Sequence, residues 1–416
     1  MQMIPDRTFT MLGLYIRVEF DAFHALKIKA FLNFATMEVK HNFDVIIIGG
    51  GAAGLFAAIA CAEENPQLRI AILEKGKEVL QKVKISGGGR CNVTHACFEP
   101  RALVKHYPRG SKALLGPFTR FCTGDTMAWY DERGVPLKIE ADGRVFPESD
   151  KSQTIIDCLI ENAQKYQISL LKHQNVYEVI PPVNGESWLL KTKADQFLAR
   201  KIMFATGSSP RVWEMLAKLG HQIISPVPSL FTFNIRDDRI EGLAGLSVPM
   251  AQVKIPGTKL QTQGPLLITH WGMSGPAILR LSAWGARDLH ALNYQFDLIV
   301  NWLGFLTFED VQAEIKNMKE AWNKKQTGTQ AMFQLPSRLW KKMLCAAGIP
   351  EDLRWADVSK KQINKLAQEL TAGIFKVNGK STFKEEFVTA GGLVLTEVDF
   401  KRFESKLFHD LYFAGA

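Results

Sequence analysis

The chain lacks the cysteine patterns that mark metal sites, disulfide frameworks and redox-active dithiols. Its six cysteines are scattered over 416 residues, with no C-x-x-C pair and no histidine beside them at metal-ligand spacing. A disulfide scaffold, a zinc protein and a dithiol reductase are therefore disfavoured. We expect no bound metal, and a reducing cytoplasm is the simplest location.

Long uninterrupted hydrophobic runs are also missing. The longest apolar run, residues 45–62, approaches the length of a membrane helix but carries four glycines in its first half. A strand, a turn and a buried helix explain it better, so we expect no membrane partner. Residues 1–42 resemble neither a signal peptide nor a transit peptide, and we expect them to be an extension outside the fold.

The composition is that of a soluble globular protein with two or three units, since 46% of the residues are hydrophobic and 22% are charged. The net charge of +9 is uneven, because residues 77–120 contain nine basic and two acidic residues. Such a stretch is either a solvated surface or a region that attracts phosphate, from a cofactor, from NADPH or from nucleic acid.

The clearest local pattern is a βαβ unit. Residues 43–48 are apolar and mostly β-branched, as in a strand buried on both faces of a parallel sheet. Residues 52–64 predict a helix of small residues, and residues 69–74 predict the next strand. Right-handed crossover makes the two strands parallel neighbours, so the predicted fold class is α/β.

A dinucleotide-binding motif lies at the first turn of this unit. Gly49 permits the tight turn, Gly51 lets the backbone approach a pyrophosphate, and Gly54 lets the helix pack on the strand. Glu74 lies 20 residues beyond Gly54, where its carboxylate can accept hydrogen bonds from ribose hydroxyls. The predicted site also includes Ala52, Ala53 and Lys75.

A second glycine-rich stretch, SGGGRCN at residues 86–92, favours FAD over NAD as the dinucleotide. Three consecutive glycines allow a loop to lie against a flat ring, while Arg90 and Asn92 supply hydrogen-bond donors. The alternative is an ordinary flexible loop. A further close approach of backbone to the cofactor is predicted at residues 205–207, where a strand ends.

The rest of the chain alternates between strand and helix patterns. Residues 226–306 are rich in glycine, proline and short strand patterns and predict a small β unit, whereas residues 309–372 predict helices. The other predicted elements are a hairpin at 137–146, a helix at 152–166, and strands at 168–171, 176–180, 188–192, 197–204, 387–389 and 411–413.

Five motifs in this order resemble the BaiN/RdsA-like family of FAD-dependent oxidoreductases. They are GGGAAG at 49–54, ISGGGRCNVT at 85–94, ATG at 205–207, THWGMSGP at 269–276 and VTAGG at 388–392. The resemblance implies a glutathione-reductase-type FAD-binding Rossmann domain, split by an inserted β-barrel and a small helical subdomain. The implied ranges are 43–225 and 376–416 for the FAD domain, 226–308 for the barrel and 309–375 for the helices.

The resemblance also implies which residues hold the cofactor. Gly49, Gly51, Gly54 and Glu74 would hold the ADP half of FAD. Val176 would present its backbone to the adenine, although the sequence alone favours a core valine. The residues implied near the pyrophosphate or the flavin are Arg90, Asn92, Ala205, Thr206, Gly207, Gly391, Gly392 and Gly415.

Cys91 is the candidate catalytic residue. Reduction of a C=C bond requires a proton opposite the hydride, and a thiol beside the flavin can deliver it. The alternative is a buried structural cysteine, and His270 is better explained as a structural histidine. No second G-x-G-x-x-G motif is present, so NAD(P)H would dock transiently as the electron donor.

The predicted function is FAD-dependent reduction of an activated C=C bond with NAD(P)H. The family is linked to reduction of uridine in ribosomal RNA and of unsaturated steroid-like acids. The basic stretch favours RNA, although no RRM or KH signature is present. The alternatives are a small-molecule flavin reductase, an amine oxidase, or a non-catalytic flavin-binding product of a truncated gene. The oligomeric state stays open.

The resemblance further implies a truncated C-terminus. LYFAG at 411–415 predicts a last parallel strand, after which the family continues with an acidic residue, a glycine-rich turn and a helix, whereas this chain ends at Ala416. We expect weak FAD binding, low solubility or both for the chain as it stands.

Overall fold

The computed structural model describes residues 41–183, 186–381 and 388–415. The predicted N-terminal extension lies almost wholly outside the described residues. Within the described ranges the chain forms two compact units. The sheet unit comprises residues 41–79, 160–205 and 410–413, and the barrel unit comprises residues 80–159, 206–409 and 414–415.

Most strands for which the sequence predicted bounds lie within two residues of them, whereas the strands of the small β unit had no predicted bounds. In chain order they are His41–Ile48 (β1), Ile70–Leu73 (β2), Thr94–His95 (β3), Leu137–Ile139 (β4), Arg144–Pro147 (β5), Ser169–Leu171 (β6), Glu178–Ile180 (β7), Trp188–Lys191 (β8), Gln196–Phe204 (β9), Ile223–Ser229 (β10), Thr232–Ile235 (β11), Ser247–Lys254 (β12), Gln261–Thr269 (β13), Gly272–Ser274 (β14), Gln295–Asn301 (β15), Gly373–Ser381 (β16), Val388–Leu393 (β17), Val398–Asp399 (β18), Glu404–Ser405 (β19) and Leu411–Phe413 (β20).

The described residues also form twelve α-helices. None of them is both long enough and apolar enough to cross a membrane. In chain order they are Ala52–Glu64 (α1), Gln81–Gly89 (α2), Pro100–Leu103 (α3), Ser111–Phe118 (α4), Thr123–Asp131 (α5), Ser152–Lys165 (α6), Pro210–Lys218 (α7), Pro276–Trp284 (α8), Ala286–Ala291 (α9), Phe308–Ala321 (α10), Ser337–Ala346 (α11) and Lys360–Ala372 (α12).

The sheet unit is built on a parallel sheet with the strand order β20–β9–β1–β2–β6. At its centre Ile47 of β1 lies opposite Ile72 of β2 and Met203 of β9. Ile47 and Ile72 are fully buried, which explains why these strands are continuously apolar. The predicted βαβ arrangement is confirmed. A β7–β8 hairpin extends the sheet through antiparallel pairing of β8 with β9.

The barrel unit contains a closed barrel of six antiparallel strands in the order β11–β14–β13–β12–β15–β16. Phe233, Ile268, Met273 and Phe375 are fully buried in its core. The last strand, β16, follows the helices in sequence but pairs with both β11 and β15. The range implied for the barrel, 226–308, therefore holds five of the six strands.

Helices α10, α11 and α12 share one hydrophobic core with the barrel. The buried Trp340 donates a hydrogen bond from Nε1 to the carbonyl of Thr327 at 3.0 Å. Reciprocal side-chain and backbone hydrogen bonds start α10 at Thr307 and α12 at Ser359. The predicted helical range is thus three helices joined by irregular segments.

Residues 80–159 also belong to the barrel unit, although the resemblance places them in the FAD domain. They form the predicted hairpin of β4 and β5, with β3 as a third strand beside β5. The domain ranges implied by the resemblance stay predictions.

One glycine of the barrel, Gly272, leaves no room for a side chain, and this generates a prediction. Gly272 of β14 has φ +146°, and a Cβ there would lie 2.2 Å from the carbonyl oxygen of Phe233. Gly264 of β13 has φ +147°, but a Cβ there meets nothing closer than 3.8 Å. Each alanine variant costs about 1–3 kcal/mol of backbone strain. We expect Gly272→Ala to lose a further ~1–3 kcal/mol through the clash.

Denaturant unfolding of both variants and of the wild type measures this difference, with Gly264→Ala as the control for backbone strain alone. Equal unfolding midpoints for the two variants would show that the clash relaxes without cost.

Candidate functional site

The G-x-G-x-x-G turn lies at the carboxyl end of β1. Gly49 has φ +112°, and its N–H donates to the carbonyl of Leu73 at the end of β2. The first helical hydrogen bond of α1 runs from Leu55 to Gly51, at 3.0 Å. The N–H groups of Ala52 and Ala53 precede this bond and have no acceptor within the helix. They are therefore available to an anion.

Two glycines of the motif are explained by the space around them. A Cβ at Gly54 would lie 2.0 Å from the carbonyl oxygen of Gly49, so only glycine lets α1 approach β1 this closely. A Cβ at Gly51 would meet nothing within 4 Å, so the protein leaves that side of the turn open. The first turn of α1 contains no acidic residue. These features fit the pyrophosphate of a dinucleotide.

Glu74 ties this turn to the end of the neighbouring strand. Its Oε2 accepts a hydrogen bond from the N–H of Gly50 at 2.8 Å, and its Oε1 accepts one from the N–H of Gly76 at 2.7 Å. The carboxylate is half-buried and lies beside the glycine turn. Each oxygen retains further acceptor capacity, as binding of ribose hydroxyls requires.

Three other predicted residues of the sheet unit lie at the same edge of the sheet. The N–H of Gln174 donates to the carbonyl of Glu74 at 2.9 Å, which brings the segment containing the buried Val176 beside β2. Ala205 donates its N–H to the carbonyl of Ile48 at 2.9 Å, at the end of β1. Lys75 is exposed. The sheet unit therefore brings together all the predicted residues that it contains.

The SGGGRCN loop, in the barrel unit, overlaps the end of α2, where the backbone leaves the helical conformation at Ser86. Gly87, Gly88 and Gly89 have φ of +58°, +70° and +84°, and Cys91 follows with φ +62°. The N–H of Cys91 donates to the carbonyl of Ser86 at 2.9 Å, which closes the loop. A left-handed conformation costs a non-glycine residue about 1–2 kcal/mol. The loop is thus a fixed structure that aims Cys91 at the cost of local strain.

Arg90 and Asn92, the predicted donors of this loop, have protein partners. Arg90 Nη1 donates to Glu140 at 2.6 Å and to Asp150 at 3.2 Å, and its guanidinium lies 3.9 Å from the centre of the Phe146 ring. With its amide turned so that the nitrogen faces acceptors, Asn92 donates to the carbonyls of Thr94 and Val145 of the β3–β5 sheet, at 2.8 and 3.2 Å. Both side chains hold the loop against this sheet, and a direct role toward FAD stays a prediction.

Cys91 is buried, and it interacts electrostatically with Tyr130, a residue that the sequence did not single out. Burial raises the pKa of the Cys91 thiol, and a hydrogen bond with Ser86 lowers it by a smaller amount. Burial also raises the pKa of Tyr130, and the nearby Cys91 and Cys158 raise it further. Cys91 and Tyr130 therefore both hold their protons at neutral pH. No local motif marks Tyr130, because its proximity depends on the placement of α5.

Of the remaining predicted residues of the barrel unit, four lie at α7 and β17, and two lie elsewhere. Gly207 has φ +58° and precedes α7, as does Thr206. A Cβ at Gly391 would lie 2.7 Å from Pro226 of β10, whereas one at Gly392 would lie 3.5 Å from the Trp213 indole nitrogen of α7. Gly391 is therefore needed for pairing of β17 with β10. Gly415 is exposed with φ +99°, and His270 lies in the exposed turn after β13.

The raised pKa of Cys91 generates a second prediction. Since burial raises this pKa above its ordinary value of 9.0, the thiol stays protonated at neutral pH and loses its proton only in more alkaline solution. We expect iodoacetamide to leave Cys91 unmodified at pH 7.5, with alkylation rising only above about pH 9. Peptide mass spectrometry after timed labelling measures this, with the exposed Cys345 as the control. Alkylation of Cys91 as fast as Cys345 at pH 7.5 contradicts the burial argument.

Among the residues that the structure describes, no three histidine, cysteine, aspartate or glutamate side chains gather as a metal ion would require. The polar groups at the glycine turn of the sheet unit are instead backbone N–H groups and the Glu74 carboxylate. This chemistry suits an organic dinucleotide.

Comparison with known proteins agrees with this geometry. The family model described as "HI0933-like protein Rossmann domain" matches residues 43–416. The chain is 28% identical to ribosomal RNA dihydrouridine synthase of Haemophilus influenzae, over 89% of this chain and 90% of that protein. It is 22% identical to 3-dehydro-bile acid delta(4,6)-reductase of Clostridium scindens, over 89% of this chain and 91% of that protein.

Among solved structures, 3-ketosteroid-delta4-(5alpha)-dehydrogenase from Rhodococcus jostii is 13% identical to the chain and aligns with a TM-score of 0.44, over 91% of each chain. The family match covers nearly all of the described residues and confirms the resemblance on which the FAD assignment was based. The chain belongs to the HI0933-like family and is an FAD-dependent oxidoreductase with a Rossmann-type cofactor domain.

Proposed function

We propose that this enzyme reduces the C=C bond of a uridine base in ribosomal RNA, with NAD(P)H as the electron donor. The observation that carries the proposal is the match to a ribosomal RNA dihydrouridine synthase over 90% of that protein's length. The 3-dehydro-bile acid reductase supports the same reaction type, since its name also describes reduction of C=C bonds. Both matches include the SGGGRCN loop and the glycine turn within their span.

The sheet unit fits the ADP half of FAD. Gly51 leaves the turn open, Gly54 brings α1 close to β1, and the Glu74 carboxylate is fixed by Gly50 and Gly76. These residues would hold the pyrophosphate and the ribose, and Val176 and Ala205 would line the same edge. When bound, FAD supplies the hydride that one carbon of the double bond receives.

Cys91 would supply the proton for the other carbon. Its thiol holds that proton at neutral pH because burial raises the pKa, and the strained loop fixes its position. The overall reaction consumes one NAD(P)H, one proton and one C=C bond, and yields NAD(P)⁺ and the saturated base.

We place this reaction in the cytoplasm, where ribosomal RNA and NAD(P)H are both available. All six cysteines are thiols rather than disulfides, as expected in a reducing compartment. The bile-acid reductase relative favours a second candidate, a small unsaturated carbonyl compound, and the following experiment separates the two.

Nucleoside analysis of ribosomal RNA tests the substrate. RNA from cells that carry the gene should contain a dihydrouridine that is missing from cells in which the gene is deleted. Purified enzyme with FAD and NADPH should restore that dihydrouridine in RNA from the deletion strain, and enzyme without NADPH is the control. If both strains have identical dihydrouridine content and the purified enzyme changes nothing, ribosomal RNA is excluded as the substrate.

Replacement of Cys91 tests the proton donor. Cys91→Ala should keep the bound-flavin absorbance and its bleaching by NADPH, because neither step uses the thiol. Turnover of the C=C substrate should fall about 10²-fold or more, since a positioned proton donor contributes 10²–10⁴-fold. Cys158→Ala is the matched control, because it also removes a buried thiol. Loss of flavin in Cys91→Ala, or equal turnover in both variants, would assign Cys91 to packing.

A further inference from the structure

The barrel unit carries a groove that is lined by residues between 250 and 305, none of which is a predicted cofactor residue. Its volume is about 620 Å³, and this size is typical of small-molecule sites. It is formed by the β12–β13 hairpin, by α8 and by the turn after β15. Its lining includes Met250, Lys259, Gln263, Arg280, Trp284 and Phe305.

Large apolar side chains of this groove are exposed to solvent. Trp284 of α8 is 42% exposed, Phe305 is 77% exposed and Met250 is 48% exposed. Exposed aromatic rings gathered in one groove are uncommon on a monomeric surface unless they contact a ligand or a partner. Flat rings at this exposure offer stacking surfaces for another flat ring.

The charge of the groove is positive. Lys259 and Arg280 are exposed, neither forms an ion pair with a described residue, and no acidic side chain lines the groove. The groove therefore combines two cations with exposed rings.

The basic stretch of the sequence is attached to the same helix. Arg109 Nη1 donates to the carbonyl of Ala283 at 3.0 Å, next to Trp284 on α8. Burial lowers the pKa of Arg109, and the positive charge of Arg287 lowers it further. Arg101, Lys105 and Lys112 of the same stretch are exposed. Positive charge thus extends from this stretch to the helix that forms one wall of the groove.

We propose that the groove binds an unstacked nucleotide of single-stranded RNA, with its base on Trp284 and Phe305 and its phosphates at Lys259 and Arg280. This inference rests on the proposed function, because it assigns the enzyme's RNA substrate a docking site. Single-stranded RNA is recognised by aromatic stacking combined with a basic channel. An acidic peptide would satisfy the cations but not the two rings.

Fluorescence anisotropy with a labelled oligouridine of twelve nucleotides tests the groove on the full-length chain. We expect Trp284→Ala to weaken binding about tenfold, in line with the loss of one stacked base. Trp284→Phe should restore most of the affinity, since it keeps a ring. The matched control is Trp271→Ala, which removes a tryptophan that is 58% exposed but lies outside the groove.

The charge is tested by the salt dependence of the same binding. The double variant Lys259→Ala/Arg280→Ala should flatten the log–log slope against salt by about 0.7 for each phosphate that the protein no longer neutralises. Lys365→Ala, on α12, removes an exposed lysine elsewhere and should leave the slope unchanged. Matching melting temperatures show that each variant is folded.

Dihydrouridine formation in ribosomal RNA is measured on the same proteins, so that the two proposals fail separately. Wild-type protein that forms dihydrouridine but binds oligouridine equally well with and without Trp284 overturns the groove and leaves the proposed function intact. Binding that depends on Trp284, without any dihydrouridine formed, supports the groove and overturns the proposed function. Absence of oligouridine binding by the wild type overturns the groove.

Discussion

The glycine-turn edge of the sheet unit depends on two hydrogen bonds by which Glu74 joins two backbone segments. One carboxylate holds the N–H of Gly50 in the β1–α1 turn and the N–H of Gly76 beyond β2. The two segments come from different strands, so the bridge sets the shape of the sheet edge before any ligand arrives. A ribose hydroxyl at the proposed site would meet a carboxylate that two hydrogen bonds already orient. The glycines of the turn are useful only because this edge is fixed.

The strained loop at Cys91 has a comparable support in the barrel unit. Arg90 binds Glu140 and Asp150 and stacks on Phe146, while Asn92 is bonded to the β3–β5 sheet. Residues whose types suggested ligand contacts thus hold the loop that carries the thiol. These contacts fix the position of Cys91, and this explains why glycine, arginine and asparagine surround one cysteine.

Local sequence signals predicted the elements that depend on local interactions. The helix at 52–64, the strands around it and the hairpin at 137–146 follow from apolar periodicity and turn residues, and the structure has them in place. Partners far apart in sequence were not predictable. Glu140 and Asp150 lie 50 and 60 residues from Arg90, and no pattern links them. Tyr130 and the sixth barrel strand were missed for the same reason, since tertiary packing alone brings them into place.

The strand order of the barrel has a consequence for synthesis of the protein. β16 closes the barrel against β11, and Ser381 donates a hydrogen bond to Asn234 across 147 residues of sequence. A nascent chain that has left the ribosome as far as α12 therefore carries a five-stranded sheet with two unpaired edges. An unpaired strand edge can pair with a strand of another molecule. Pairing of strands that are far apart in sequence, such as β16 and β11, is slow. Cotranslational folding of this chain thus passes through a stage in which the two edges of the open barrel are exposed to intermolecular pairing.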